Sequence, residues 1–158
     1  MPLFGDRKPF PVFNSEFNED GGTLSADGRW IAYQSNESGR FEVDVQPFPP
    51  SGGKWQISTN GGDQPRWRGD GKELFYLDPT RKLMAVEVRA EGNQFSPGVP
   101  KTLFESRASG GGGSGLGVTY ALYAAARSGD RFVVVTGGQT SDVSPLTVVL
   151  DWTSLLKK

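Results

Sequence analysis

A turn signal that recurs between short apolar runs constrains this chain more than any other feature. Asp27-Gly28-Arg29-Trp30-Ile31-Ala32-Tyr33 has a partner in Asp70-Gly71-Lys72-Glu73-Leu74-Phe75-Tyr76, and a weaker third copy in Ser128-Gly129-Asp130-Arg131-Phe132-Val133-Val134. Asp-Gly between two extended runs is the strongest short-range hairpin signal, because both central turn positions favour positive φ. Each copy therefore predicts a strand, a tight turn and a second strand.

Further alternating stretches follow each of these hairpins. They occupy residues 42–46 and 54–58 after the first copy, 83–88 and 101–105 after the second, and 146–150 after the third. Four strands per repeat, at a spacing of roughly 40–50 residues, are typical of β-propeller blades. No segment keeps a 3.6-residue apolar period, so helices are not expected. The predicted fold class is all-β, built from four-stranded antiparallel propeller blades, about three per chain.

Composition narrows the chemistry that this chain can perform. It has no Cys and no His, which excludes disulfides, thiolate nucleophiles, Ser-His-Asp triads and His-rich metal sites. We therefore expect no enzyme activity, no cofactor and no metal. A formal net charge of −1 with scattered Lys and Arg argues against nucleic acid as a partner. No apolar run is long enough to span a bilayer, so no membrane contact is expected from this chain.

The repeats carry a family resemblance. The run 27–36, preceded by Leu24-Ser25-Ala26, resembles the PD40 (WD40-like) repeat of TolB-like β-propellers, and so does the run 61–71. The chain is most similar to the C-terminal propeller that follows a transmembrane segment in bacterial serine/threonine kinases of the acidobacterial type. It departs from the usual Ser-Pro-Asp-Gly at Ala26 and again at Ser128. The resemblance implies a six-bladed ring in an extracytoplasmic domain of a bacterial membrane protein, although the chain carries no export signal.

The strands divide into a single propeller fragment that is circularly permuted by one strand. Residues 7–13 are predicted to be an outer strand without a hairpin partner, and their two prolines suit an edge position. Blade one is expected at 21–59, blade two at 60–106, a Gly-rich loop at 107–117, and blade three at 118–152 without its outer strand.

Three blades are too few to close a ring of twisted sheets, and an unclosed stack exposes apolar faces and a free strand edge. We therefore expect a six-bladed homodimer in which each N-terminal strand completes the other copy's third blade by strand exchange. The residues expected at this junction are Lys8, Phe10, Val12, Val148 and Leu150. The alternative is a fragment that lacks its upstream blades, since Met1-Pro2-Leu3 suits a start codon placed before an excised domain.

Candidate binding residues follow from the expected ring, because the innermost strand of each blade lines the central channel. In blade two, alternation sends Gln64, Arg66 and Arg68 to one side and Trp67 to the other. A two-fold ring brings two copies of Arg66 towards the axis, where they suit a small molecule or a peptide that carries a carboxylate. The alternative is that these arginines pair with Asp63 or with other neighbouring acids.

Other motifs favour structural roles. The Gly-rich stretch 110–117 matches a dinucleotide-binding pattern only through its composition, and we expect an inter-blade loop. Asp27 and Asp70 are expected to be turn residues rather than a catalytic carboxylate pair. Four aromatic residues are expected to pack between blades rather than to form a sugar-binding platform. They are Trp30, Trp67, Phe75 and Tyr76.

Three functions stay open at this point. The first is a non-catalytic propeller module that binds a protein, a peptide or a small molecule at the channel mouth, similar to the sensor domain of a receptor kinase. The second is the gating propeller of a prolyl-oligopeptidase-type peptidase, whose nucleophile and His would lie outside this chain. The third is a structural fragment with no ligand. Gene context and the mass in solution distinguish them.

Overall fold

The computed structural model describes residues 9–92, 94–108, 121–136 and 146–150. In this part of the chain the protein is all-β, with three antiparallel sheets and no helix, hence no helix that could cross a membrane. The first sheet contains β1 (Glu19–Leu24), β2 (Trp30–Ser35), β3 (Glu42–Pro47) and β4 (Trp55–Gln56) in that order. The second contains β5 (Asp63–Trp67), β6 (Glu73–Leu77), β7 (Lys82–Glu91), β8 (Gln94–Pro97) and β9 (Lys101–Glu105). The third contains β10 (Tyr123–Ala125), β11 (Arg131–Val135) and β12 (Leu146–Leu150).

The three turn signals form the same turn, which joins the first two strands of each sheet. In each turn a glycine N–H donates at 2.9 Å to the carbonyl three residues earlier, namely Gly28 to Ser25, Gly71 to Arg68 and Gly129 to Ala126. The three glycines have φ of 70°, 71° and 78°. The residue before each glycine is not in the left-handed region, so the expectation of two positive-φ positions was wrong. Only the glycine needs that freedom.

Asp27 and Asp70 stabilise these turns as predicted. Asp27 Oδ1 accepts the Arg29 N–H at 3.1 Å, and Asp70 Oδ1 accepts the Lys72 N–H at 3.0 Å. A hydrogen bond from the Ser25 hydroxyl holds the pKa of Asp27 down at about 2, and hydrogen bonds from Arg68 do the same for Asp70. Both carboxylates are therefore ionised and engaged within their own hairpins, which leaves them unsuited to proton transfer near neutral pH.

The second sheet lies between the other two and is buried on both faces. Alternation along β6 sends Leu74 and Tyr76 into a first core shared with the first sheet, and Phe75 and Leu77 into a second core shared with the third sheet. The first-sheet residues of the first core include Val43 and Val45, which are fully buried. Burial of a sheet on both faces removes more apolar surface from water than any single face can, so this arrangement is the main source of stability.

An aromatic cluster joins the first two sheets and confirms the packing role predicted for Trp30 and Trp67. The strand β7 is long enough to pair with β9 along its first half and with β8 along its second half. The β7–β8 extension carries Phe95, whose ring centroid lies 4.9 Å from Trp30, 5.3 Å from Trp55 and 6.4 Å from Trp67. The strand β8 was not predicted from the sequence. Its Phe95 closes the first core against the solvent.

The first strands of the three sheets are neighbours. The strand β5 lies beside β1 and beside β10. The Trp67 indole N–H donates to the Thr23 carbonyl of β1 at 3.1 Å, and the Gly69 N–H donates to the Arg127 carbonyl at 2.9 Å. A Cβ on Gly69 would lie 2.8 Å from that carbonyl oxygen, so this close approach requires glycine. The sheets therefore meet along their first strands.

The described part of the predicted N-terminal outer strand is not paired with any sheet of the chain. Lys8 lies outside the described residues, and 9–13 contain no strand. Instead the segment crosses the face of the first sheet. Strand exchange with a second copy stays a prediction.

The segment makes two ring contacts as it crosses. The Phe13 ring lies 4.4 Å from that of Tyr33 on β2, and the Phe10 ring stacks on Phe48 at 6.1 Å. Phe13 and Val12 are half-buried, whereas Phe10 is 48% exposed. Apolar contact with the sheet thus replaces hydrogen bonding along an edge as the interaction that positions this segment.

The third sheet has three strands in the described part of the chain. Val148 and Leu150, two residues expected at the dimer junction, lie in β12 opposite Val133 and Arg131 of β11. The face of β11 that points away from the second core carries Val133, which is half-buried, and Val135, which is 38% exposed. An apolar sheet face is therefore partly open to solvent at this end of the stack.

Candidate functional site

Gln64, the first predicted channel residue, is a buried link between all three sheets. Its N–H donates to Oε1 of Gln34 in the first sheet at 2.9 Å, and its own Oε1 accepts the Leu122 N–H at 2.7 Å. Its carbonyl accepts the Tyr123 hydroxyl of the third sheet at 2.9 Å. A side chain that is 3% exposed and engaged in this way supports the fold.

The geometry at Gln64 has a backbone cause. The pairing of β5 with β6 shifts register between Asp63 and Arg66, as at a β-bulge, and Gln64 has a φ of 54°. A bulge breaks the two-residue alternation of side chains, yet Gln64, bonded to the Leu122 N–H, and Arg66, beside Phe75, both lie towards the third sheet, as the sequence predicts. Positive φ in a Gln has no local sequence signal, because Gln is not among the residues that favour this region.

Arg68 is held within its own hairpin. Its Nε and Nη2 donate to the two carboxylate oxygens of Asp70, each at 2.8 Å, and Nη1 donates to Glu73 at 2.7 Å. These ion pairs raise the pKa of the Arg68 guanidinium. Arg68 therefore pairs with neighbouring acids, which is the alternative given from the sequence.

Arg66 retains hydrogen-bonding capacity. It is the register partner of Phe75, which places it on the face of β5 towards the third sheet and opposite Trp67, as predicted. One hydrogen bond is described for its guanidinium, from Nη1 to the Pro65 carbonyl at 2.7 Å, and the described residues include no ion pair to it. Of the two predicted arginines, Arg66 has more donors left for a ligand, since Arg68 donates three hydrogen bonds to carboxylates.

A pocket of about 320 Å³ opens at the end of the sheets opposite the three hairpin turns. We call it the loop-end pocket. Its lining comes from three connections, between β2 and β3, β4 and β5, and β6 and β7. The lining residues are Arg40, Phe41, Gly61, Gly62, Asp63, Leu77, Pro79 and Arg81. The pocket lies at the start of β5, the central strand of the three neighbouring first strands.

Asp63 and Arg81 form the charged floor of the loop-end pocket. Arg81 Nη1 donates to Asp63 Oδ2 at 3.0 Å, whereas Asp63 Oδ1 is buried without a hydrogen-bond partner. Burial raises the pKa of Asp63, and the Arg81 charge opposes that rise. Arg81 itself has a φ of 65°, and its carbonyl accepts both the N–H and the hydroxyl of Ser106. A strained residue held from several sides often marks a binding site.

Arg40 and Phe41 form the opposite wall. The Arg40 side chain is 59% exposed, yet its Nε donates to the buried Glu42 at 2.7 Å and its Nη2 to the Thr59 carbonyl at 2.8 Å. Glu42 also accepts the Gly61 N–H at 2.9 Å. Phe41 is 41% exposed beside this fixed guanidinium. An oriented arginine next to an exposed ring suits a ligand that has both an anionic and an apolar part.

A larger cleft, of about 640 Å³, lies at the other end of the sheets, between the first two hairpin turns and the end of β7. We call it the turn-end cleft. Its charges balance in number, since Asp27, Asp70 and Glu91 line it together with Arg29, Lys72 and Arg89. Asp27 and Arg29 pair at 2.8 Å within their own turn. Size alone favours this cleft, whereas the loop-end pocket lies at the start of β5 and holds two arginines that neighbouring carboxylates orient.

The face of the first sheet that points away from the first core forms a further surface. We call it the outer face of the first sheet; it carries Ile31, Tyr33, Asp44 and Gln46. Asp44 has a side chain that is 6% exposed, and its ion pair is to Lys54 Nζ at 3.9 Å. Burial raises the pKa of Asp44 to about 6, with Glu37 and Glu42 adding to the rise and Lys54 opposing it. This face thus buries an acid that is poorly compensated.

The sequence did not single out the loop-end pocket. Arg40, Phe41 and Arg81 come from separate loops, and no spacing rule connects them before the sheets are stacked. Asp63 was considered only as an acid that might neutralise Arg66 or Arg68, and it pairs with Arg81 instead. Comparison of the sequence with protein-family models and with curated proteins finds no match.

Proposed function

We propose that this chain is a non-catalytic β-propeller module that binds a ligand or a protein, and that two copies assemble into a six-bladed ring. One observation carries the proposal. Three similar antiparallel sheets stack face to face through two apolar cores, with β5 beside both β1 and β10. Sheets that meet along their first strands and diverge outwards are the arrangement of propeller blades around an axis.

The ligand site of this module is the loop-end pocket, continued along β5 by Arg66. In a ring, loops at one end of the first strands surround the channel mouth, and Asp63 begins the middle one of these strands. Arg40 and Arg81 are oriented by Glu42 and Asp63 and keep unused donors. The ligand class that suits two oriented guanidinium groups beside an exposed phenylalanine is a peptide or small molecule with a free carboxylate and an apolar group.

Closure of the ring follows the strand-exchange proposal. The third sheet of one copy docks on the outer face of the first sheet of the other, and the segment 7–13 adds to the third sheet as its outer strand. Lys8, Phe10 and Val12 would pair there beside β12, which contains Val148 and Leu150. This step removes the open apolar face at Val133 and Val135 from water.

The first experiment measures mass in solution by size-exclusion chromatography with light scattering across a dilution series. We expect a species of twice the 17.1 kDa chain mass that dissociates on dilution. Deletion of residues 1–13 should weaken association at least tenfold, because the exchanged strand is lost. A chain that stays monomeric and folded at every concentration contradicts the ring.

The second experiment tests the ligand site by NMR, with the tripeptide Ala-Ala-Phe and its C-terminal amide as probes. The free acid is expected to shift the amide signals of residues 40, 41, 61–63 and 81, and the amide form is not. Arg81→Ala should abolish the shifts, while the matched control Arg89→Ala, in the turn-end cleft, should leave them unchanged. Equal responses to both peptides would exclude carboxylate recognition.

A further inference from the structure

We propose that the N-terminal segment 9–18 is an intramolecular cap on the outer face of the first sheet, the surface on which the third sheet of a second copy docks. The inference rests on the proposed two-copy ring and names the surface and the contact that control it. The segment therefore has two alternative positions. It lies on its own first sheet in the single chain, and it leaves that sheet when a second copy binds.

Matched positions identify the outer face as a docking surface. Counted from the turn glycine of each sheet, Tyr33 corresponds to Tyr76, and their register partners Asp44 and Met84 also correspond. In the second sheet this same side carries Tyr76 and Met84 against the first sheet, inside the first core. The outer face of the first sheet is thus the surface that, one sheet further along, is covered by a neighbouring sheet.

The cap covers this surface through Phe13. Its ring lies 4.4 Å from Tyr33 with the two planes inclined at 47°, and Tyr33 is only 4% exposed. The end of the segment is fixed where it enters β1. There the Asn18 N–H donates to Asn36 Oδ1 at 2.9 Å, and the Asn36 N–H donates to the Asn18 carbonyl at 3.3 Å. The segment can therefore swing away from the sheet while staying anchored at Asn18.

The cap buries few of its own side chains, and it occupies the face on which the third sheet of a second copy docks. Apart from Phe13 and Val12, which are half-buried, residues 9–18 are exposed, and Phe17 is 39% exposed. Few side chains of the cap itself are buried, so a docked sheet that covers the same face can replace its contacts. The third sheet presents Val133 and Val135 from β11, so a docked sheet covers more apolar surface than the segment does. The cap and the third sheet of a second copy compete for the same face. Protein concentration therefore sets the equilibrium between the capped single chain and the dimer.

The test uses the full chain and weakens the cap at one side chain. Phe13→Ala removes the ring contact with Tyr33 but keeps residues 7–12 of the exchanged strand 7–13. Because cap and second copy cannot occupy the face together, loss of the cap should lower the apparent dissociation constant of the dimer by about tenfold. The measurement is sedimentation velocity across a concentration series. Phe10→Ala is the matched control, since Phe10 contacts Phe48 and not Tyr33; it should not strengthen association.

A second readout reports on the cap itself. Nitration of Tyr33 by tetranitromethane, followed by mass spectrometry of its peptide at a concentration where the chain is monomeric, should be several times faster in Phe13→Ala than in the wild type. Tyr76, buried between two sheets, serves as the internal reference. Phe13→Leu keeps an apolar side chain at this position and is expected to fall between the two, which separates release of the cap from loss of folding.

Each result decides the matter. Tighter association together with faster nitration of Tyr33 supports the cap. Weaker association in Phe13→Ala overturns the cap and leaves the strand-exchanged ring standing, because the segment then acts only as an exchanged strand. Unchanged association with faster nitration also overturns it, since the segment would cover Tyr33 without competing. If wild type and variants all stay monomeric at every concentration, the ring and the cap fail together.

Discussion

The first and second sheets have matched faces that differ in what covers them and in what they carry. On the second sheet, Tyr76 and its neighbours Met84 and Val86 lie against another sheet. On the first sheet, the corresponding positions are Tyr33, Asp44 and Gln46. The covering element there is Phe13 of the N-terminal segment.

The polar residues fall on one strand of that face. Its β2 positions are apolar, as are the corresponding positions of the second sheet. Its β3 positions are Asp and Gln, where the second sheet has Met and Val. An end sheet with a partly polar outer face tolerates water, as the terminal repeats of stacked proteins do. The difference teaches that the two ends of the stack are unlike: the outer face of the first sheet carries polar side chains under a cover, while the face at Val135 is partly open to solvent.

The largest effect is expected from a matched pair of truncations, Tyr76→Ala and Tyr33→Ala. The two side chains are almost equally buried, at 3% and 4% exposure. Tyr76 lies between two rigid sheets, so its loss leaves a cavity that cannot collapse and should cost about 4 kcal/mol of unfolding free energy. The N-terminal segment can settle into the space left by Tyr33, which should cost about 2 kcal/mol. Urea unfolding followed by circular dichroism measures both values.

Equal losses for the two variants would contradict the comparison. They would mean that the segment covers Tyr33 as firmly as a sheet covers Tyr76. A control for denatured-state effects is the slope of free energy against urea, which should be the same in both variants and in the wild type.

The next effect concerns Asp44→Met, which gives the first sheet the residue that the second sheet has. The pKa of Asp44 is raised to about 6, so the folded state binds its proton more tightly than the unfolded chain does. Stability from this group is present below the unfolded pKa, near 4, and is lost as pH rises through about 6. Relative to the wild type, Asp44→Met should therefore gain about 2 kcal/mol more at pH 7 than at pH 4.

The measurement is urea unfolding of both proteins at the two pH values. Gln46→Val is the matched control, because it makes the corresponding exchange at an uncharged position of the same face; its effect should be the same at pH 4 and pH 7. A gain from Asp44→Met that is the same at both pH values would show that packing, and not the buried charge, accounts for it.

The sequence was sufficient to predict the structural features that repeat along the chain. Two Asp-Gly signals and a weaker Ser-Gly copy predicted three hairpins, and the structure forms the same turn at Gly28, Gly71 and Gly129. The packing role of Trp30 and Phe75 also followed from alternation, since a period of two sends every second side chain into a core. These features depend on local backbone preferences and on a pattern that is repeated in the sequence.

The sequence was not sufficient where one residue breaks the pattern. The bulge at Gln64 has a counterpart at Gly21 in β1, but a Gln gives no sign of positive φ, and the β8 strand that carries Phe95 has no counterpart in the described part of the first sheet. The segment 9–13 has the composition of an edge strand, yet it lies across the outer face of the first sheet, because the Phe13 ring packs against Tyr33 there. The loop-end pocket combines Arg40, Asp63 and Arg81 only after the sheets are stacked. Such long-range contacts have no local signature.

The smallest effect on stability is expected at the open end of the stack, from Val135→Lys. Val135 is 38% exposed on the face of β11 that points away from the second core, so the change should alter the unfolding free energy by about 0.5 kcal/mol or less. The same lysine would place a charge on the surface that docks, and association should weaken at least tenfold. Unfolding at low protein concentration and sedimentation velocity measure the two effects separately.

A matched change on the other side of the same strand is Val134→Lys, which puts the charge into the second core and should prevent folding. The contrast between neighbours on one strand separates a face that holds the chain together from one that joins two chains. If Val135→Lys leaves association unchanged, the third sheet is not the docking element. The open face at this end would then have no part in closing a ring, and the asymmetry between the two ends of the stack would be a property of the single chain alone.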